Sequence, residues 1–269
     1  MHARCAPWST CPPRQLFDVA GVLTDIDDTL TRGGAIEPAA LGALERLAAA
    51  HLPVIAITGR PMGWSEPFAR VWPLAAIVAE NGAVALFREG GALRIEYAQD
   101  PATRERNAAR LRVATEAVLR ELPEARLATD SAGRVTDIAF DHSEHAQLAP
   151  RSRDQIVSIM RAMGMKATVS SIHVNGWFGE HDKLSGARWI VRRLLGRDLD
   201  AETARWVYVG DSTNDQLMFG HFALSVGVAN LLRFEAELTT WPSYLTAGER
   251  GAGFAEVAEA LMAARCARP

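Results

Sequence analysis

Lysine is nearly missing from this chain of 269 residues: lysines and arginines total 29, yet only Lys166 and Lys183 are lysine. Where arginine is the default cation, a retained lysine suggests a place that needs a compact ammonium, though survival by chance is the plainer alternative. Cysteine is scarce as well. Cys5, Cys11 and Cys266 lie near the ends, with neither metal-ligand spacing nor a disulfide framework, so a reducing, cytoplasmic setting is expected. No apolar run is long enough to span a bilayer. Charge of one sign is also absent as a feature, since the net charge is −3 without a long run of either sign. Composition therefore gives no argument for nucleic acid or a membrane surface as partner. Nothing requires an oligomer, and a monomer is compatible with the mixed surface. The opening "MHARCAPWSTCPPRQ" lacks the apolar centre of a secretion signal and reads as a loose lead-in.

What is present is a set of short apolar runs, each ending abruptly in small or polar residues. They are 19–24 before "DIDD", 53–57 before "TGR", 74–79 before "ENG", 206–209 before "GDSTND", and 223–228 before "AN". Unalternated runs of this length suit strands buried on both faces of a parallel sheet. Helical spacing over 38–50 and 184–195 separates some of them. Strands alternating with helices predict a doubly wound, Rossmann-like α/β fold whose ligand sits at the C-terminal strand ends. The middle of the chain differs. Two strands around a Glu-Gly-Gly turn, a charged helix over 102–121, a strand in "RVTDIAFDH", a helix over 151–163 and a strand pair in "KATVSSIHVNGWFG" predict an inserted α+β module. The expected division is 1–82 with 180–269 as core and 83–179 as insertion.

The polar strand tips carry the chemistry. "LTDIDDTLT" places Asp25, Asp27 and Asp28 within four positions, and neighbouring carboxylates repel. One carboxylate could attack phosphorus and form an aspartyl phosphate, while a second protonates the leaving alcohol and then activates water. Mg²⁺, which prefers oxygen ligands, would relieve the repulsion, with Asp211 and Asp215 of "GDSTND" supplying further acid. Thr58 of "TGR" offers a hydroxyl and a backbone N–H to phosphate, and Lys183 offers positive charge.

Taken in order, "DIDDT", "ITGR", Lys183 and "GDSTND" resemble the four motifs of the haloacid dehalogenase (HAD) superfamily. The insertion between the second and third motifs is similar to the C2B cap of subfamily IIB, a sugar-phosphatase branch that includes the phosphomannomutases; "AENGAV" and "GVAN" point the same way. The resemblance implies Asp25 as nucleophile and metal ligand, and Asp27 as acid/base and metal ligand through its carbonyl. It implies Asp211 as the third Mg²⁺ ligand, with Thr58 and Lys183 on the phosphoryl group. Thr29, Gly59, Arg60, Asn214 and Asp215 fall to the phosphate site or its outer shell. The implied reaction is Mg²⁺-dependent hydrolysis of a small phosphorylated metabolite, such as a sugar phosphate. A phosphomutase and a non-catalytic phospho-aspartate sensor are the alternatives.

Asp28 departs from the resemblance, standing where the family has glycine. In the insertion, His173, Asn175 and His181 are candidate substrate contacts, set against a plain hairpin with a buried Trp177. Trp64 either borders the site or packs, and Arg60 either faces phosphate or only closes the strand exit. "DHSEH" at 141–145 resembles a metal cluster, but a solvated loop is the favoured reading.

Overall fold

The protein is described by a computed structural model that covers residues 4–267. In the first part of the chain lie β1 (Ala6–Pro7), β2 (Gly21–Thr24), β3 (Thr31–Arg32), β4 (Ala35–Ile36), α1 (Pro38–Ala49), β5 (Val54–Ile57), α2 (Met62–Val71) and β6 (Ala76–Ala79). The middle holds β7 (Val84–Glu89), β8 (Ala92–Tyr97), α3 (Pro101–Glu121), β9 (Arg126–Leu127), β10 (Asp137–Asp141), α4 (Pro150–Ala162), β11 (Lys166–Val169) and β12 (His173–Trp177). Then follow α5 (Lys183–Leu195), β13 (Trp206–Gly210), α6 (Gln216–His221), β14 (Leu224–Gly227), β15 (Tyr244–Leu245) and α7 (Arg250–Cys266).

The five apolar runs become β2, β5, β6, β13 and β14, and every residue in them is buried. Alternation splits them between two cores. Val22, Val54 and Ala56 join Leu44 and Leu47 of α1 and Phe254 and Leu261 of α7, whereas Leu23, Ile55 and Ile57 join Ile190 and Val191 of α5 and Phe219 of α6. Helices on both faces explain why these strands carry no polar alternate residue. The large sheet runs β1-β15-β14-β13-β2-β5-β6-β7-β8, parallel from β1 to β6. With β2 between β13 and β5, the chain switches direction across the sheet at the tip of β2, where such folds open a ligand crevice.

Two expectations shift. The hairpin β7–β8, expected to open the insertion at 83, pairs antiparallel with β6 and extends the large sheet. Its first four residues are buried against that sheet, which outweighs its resemblance to an insertion hairpin. The lead-in from Ala6 onward is not loose either, its first three residues lying outside the described ones: β1 pairs with β15, and Trp8 and Leu16 are buried against the α7 side of the core. Elements too short for periodicity, such as β1, β15 and α6, escaped the sequence reading, as did α2, which carries Pro67 in its interior.

A second sheet, β11-β12-β10-β9, is antiparallel and two-faced. Phe140, Val174, Ala167 and Ile138 pack with Ile156 and Met160 of α4 and Leu111 and Val118 of α3. The alternate positions of β10 and β12, Asp137, Asp141, His173 and Asn175, form a buried polar face instead. That face meets the strand tips of the large sheet. Among the described residues, no helix is long and apolar enough to cross a membrane.

Candidate active site

Asp25 follows β2 directly, and its N–H donates to the Val209 carbonyl (2.9 Å), which fixes it to the neighbouring strand. Lys183 is the first residue of α5. The helix is capped by Asp182, whose carboxylate accepts the Ser185 N–H (2.8 Å) while the Ser185 hydroxyl accepts the Asp182 N–H (2.8 Å). Close approach of this helix start depends on Gly82, at φ +109°, where an added Cβ would stand 2.1 Å from the Asp182 carbonyl oxygen. Lys183 Nζ then donates to Asp25 Oδ1 (2.7 Å), Asp215 Oδ1 (2.7 Å) and Asn214 Oδ1 (3.4 Å). Of the two lysines, this is the one at the site; Lys166 bonds the Glu180 carbonyl and carboxylate at the surface.

Asp215 is an anchor. Its Oδ1 also accepts from the Tyr208 hydroxyl, and its Oδ2 accepts the N–H groups of Asp211 (2.9 Å) and Ser212 (3.1 Å). Oxygens of Asp25, Asp211 and Asp215 lie within 4.8 Å of one another. Because both Asp215 oxygens are already engaged, Asp25 and Asp211 are the better metal donors. Asp211 Oδ2 accepts from Asn230 Nδ2 (3.2 Å), but its Oδ1 is buried without a partner. An unpartnered buried carboxylate oxygen is costly unless a cation meets it. Burial first, then Asp25 and Asp215, push the Asp211 carboxyl well above its ordinary range. Burial raises Asp25 to about 7 against the pull of Lys183, with Asp215 and Asp27 adding to the rise. Lys183 is held charged, because its two carboxylate partners outweigh its burial. This oxygen-only, charge-deficient set fits a hard divalent cation such as Mg²⁺.

Asp28 has a structural account. Its φ is +52°, the left-handed region where glycine costs least and Asp is tolerated. Its carboxylate accepts from Arg250 Nε (2.6 Å), and its carbonyl from Asn230 Nδ2 (2.9 Å). Asn230 Oδ1 in turn accepts the Arg250 N–H (2.9 Å), so one asparagine ties the aspartate loop, Asp211 and the start of α7 together.

Thr58, at the tip of β5, is fully buried, and its Oγ1 accepts the Arg60 N–H (3.0 Å). Thr29 Oγ1 is buried with no partner. The Gly59 carbonyl accepts from Arg134 Nη1 (3.0 Å) and Asn175 Nδ2 (3.3 Å), both from the inserted module.

Arg60 is a junction between the two parts. Its Nε donates to both oxygens of Asp27 (3.0 and 2.9 Å), its Nη1 to Asp130 (3.1 Å) and its Nη2 to Glu144 (2.6 Å). The guanidinium also lies over the Trp64 ring at 4.9 Å, which gives Trp64 its role. Asp27 is raised by burial, with Arg60 only partly offsetting it. Glu144 goes the other way. Burial opposes ionisation, but hydrogen bonds from His173 and Arg60, together with the Arg60 charge, bring it down to about 2.

A cavity of about 420 Å³ opens here, lined by Asp27, Asp211, Ser143, Glu144, Ser171 and Arg250 among others. A larger cleft of about 710 Å³, beside Arg153, Asp154 and Thr213, contains none of the clustered site aspartates, whereas Asp27 and Asp211 line the smaller one. The expected substrate contacts do not line the 420 Å³ cavity. His173 Nε2 instead pairs with Glu144 (2.9 Å), Asn175 bridges Gly59 and Asp137, and His181 stacks on the buried Trp177 at 5.5 Å. "DHSEH" is neither a metal cluster nor simply solvated. Asp141 is buried and accepts four successive N–H groups, from Ser143 to Ala146 (2.8–3.1 Å), presenting Glu144 to the site. Glu144, Asp130, Arg134, Tyr208, Asn230 and Arg250 were missed; "DHSEH" and "GVAN" were the visible signals for two of them.

A family model for haloacid dehalogenase-like hydrolases matches residues 22–104. Solved structures match along nearly the whole chain. A Thermoplasma acidophilum protein is 16% identical with a TM-score of 0.68, over 91% of this chain and 98% of its own. Over residues 22–104 the chain is similar to haloacid dehalogenase-like hydrolases, and its fold is the one these structures share. Sucrose-phosphatase from Synechocystis, solved with sucrose and phosphate, shares this haloacid dehalogenase-like fold at 17% identity and TM-score 0.65, over 91% of this chain and 98% of the other. A subclass IIB sugar phosphatase does so at 14% identity and TM-score 0.61, over the same shares. No curated protein matches the chain. The family-model match over residues 22–104 is to hydrolases.

Proposed function

We propose that the protein hydrolyses a phosphate monoester of a sugar or similar small metabolite, with Mg²⁺ as cofactor and a phosphoryl group carried on Asp25. The supporting observation is the division of the aspartates: Asp25 faces Lys183, whereas Asp27, two positions on, is gripped by Arg60 beside the cavity. In the first step an Asp25 oxygen bonds to phosphorus, the bond from phosphorus to the leaving oxygen breaks, and that oxygen takes the Asp27 proton. In the second, water attacks phosphorus, Asp27 takes its proton, and the bond to Asp25 breaks. Lys183 and the Thr58 hydroxyl meet the phosphoryl oxygens, while Asp215 and Tyr208 keep Lys183 in place. Bound Mg²⁺, held by Asp25, Asp211 and the Asp27 carbonyl, would supply charge neutralisation. The polar face of the β9–β12 module covers the site and limits water.

The test is phosphate release over a panel of phosphorylated sugars and related metabolites, with and without Mg²⁺, alongside thermal unfolding. Wild-type activity should require the cation, and Mg²⁺ should raise the Tm of wild type but not of Asp211→Asn. Asp25→Asn should lose about 10⁴-fold or more in turnover while remaining folded. Near-normal turnover by that variant would overturn the proposal.

A further inference from the structure

We propose that Glu144 is a positioning residue: carried by the inserted module, it holds Arg60 against Asp27 and so aims the proton donor when that module is docked. The inference rests on the phosphatase reading and adds to it a link between the docked module and acid catalysis.

Three observations carry it. First, Arg60 is 3% exposed and fully engaged, and two of its three carboxylate partners, Asp130 and Glu144, come from the inserted module. Its third partner, Asp27, lies on the core loop, so the guanidinium cannot keep all three unless the two parts stay together. Second, Glu144 is itself built into place: the Asp141 carboxylate gathers the backbone N–H groups around it, and His173 Nε2 meets its second oxygen (2.9 Å). Third, Glu144 lines the cavity that also contains Asp27 and Asp211, so it stands where a leaving group would enter. Asp130 is less suited to this task, because it does not line that cavity. An arginine fork orients a carboxylate through paired N–H groups, and a pair clamped from behind loses less orientation than a free one.

The chemistry supplies a test that a merely structural role would not satisfy. Cleaving the bond from phosphorus to the leaving oxygen leaves the electron pair on that oxygen. Phenolate needs the Asp27 proton there, whereas p-nitrophenolate, a far weaker base, departs more readily without it. The second-order constant kcat/KM covers steps only through transfer to Asp25, so later hydrolysis of the phosphoryl-enzyme does not mask the effect.

The experiment measures kcat/KM for phenyl phosphate and p-nitrophenyl phosphate at saturating Mg²⁺, in wild type, Glu144→Ala and Glu144→Gln, with thermal unfolding of each. In Glu144→Ala the ratio of phenyl to p-nitrophenyl phosphate should fall by about 10-fold or more. Glu144→Gln, which can still accept from Arg60, should recover part of that ratio. Equal losses on both esters, or no loss on either, would overturn the inference while leaving the phosphatase reading in place. A wild-type protein that hydrolyses neither ester would overturn the inference, and one that also releases no phosphate from any phosphorylated sugar or metabolite of the panel would overturn the phosphatase reading too.

Discussion

The two walls of the site are built differently. On the core wall, Asp25, Asp211 and Asp215 sit within or just beyond parallel strands, held by backbone N–H groups and by contacts to the next strand. On the opposite wall, Asp130, Glu144, Arg134 and His173 hold position mainly through one another and through Arg60, across sequence separations of up to 84 residues. The core wall is a scaffold that brings charges together and leaves Asp211 Oδ1 unpartnered. The inserted wall is a charge network that closes on itself. On the proposed reading, the first arrangement receives a cation and a phosphoryl group, and the second decides when the proton donor is aligned.

The contrast predicts a graded set of responses. The largest belongs to the core wall. Lys183→Met removes the cation that bridges Asp25 and Asp215, leaving two buried carboxylates facing each other. Urea unfolding of the metal-free protein should show a loss of about 3–5 kcal/mol, and turnover should vanish. A loss below about 1 kcal/mol would show that the core wall does not depend on the pair.

The inserted wall should give a smaller, pH-dependent response. Glu144 is depressed from 4.5 to about 2 in the folded protein, so its ionised form favours folding. That contribution is complete above the unfolded value and disappears as pH falls through the folded one. The Tm gap between wild type and Glu144→Gln should therefore be widest near neutrality and close as pH drops from about 4.5 towards about 2. A gap that is constant over that range would break the account of this wall.

The smallest effect is expected at Asp28, where two contributions oppose each other. Asp28→Gly removes the ion pair to Arg250 but also relieves a left-handed backbone at φ +52°. The two changes oppose each other at about 1 kcal/mol each, so denaturant midpoints should differ little from wild type.

The same contrast explains what could be read from the sequence. Asp25, Asp27, Thr58, Lys183, Asp211 and Asp215 are legible because each follows or precedes a regular element with its own periodicity. Their neighbours in space are set by strand order, which alternating strands and helices largely dictate. The inserted wall offers no such rule. His173, Asn175 and His181 stood out as polar residues near an aromatic, yet sheet register turns the first two toward Glu144 and Gly59, and His181 toward Trp177. Glu144 was visible only as part of an acidic, histidine-containing string, and nothing in that string announces the Asp141 cage. Asp28 shows the reverse: its left-handed turn was foreseeable from the expected glycine, whereas its partner lies 222 residues away. The β7–β8 hairpin was misplaced because alternation reports burial and cannot say which sheet supplies the neighbour.

The central claim is that Asp25 carries the phosphoryl group, and it is tested most directly by trapping the protein during turnover. Acid-quenching the Mg²⁺-loaded enzyme on a substrate it hydrolyses, followed by peptide mass mapping, should find the phosphoryl group on the peptide containing Asp25. The label should be absent from Asp25→Asn and should accumulate in Asp27→Asn when the substrate leaves without protonation. Phosphate release with no phosphorylated peptide at any quench time, or with the label on a different residue, would contradict the account.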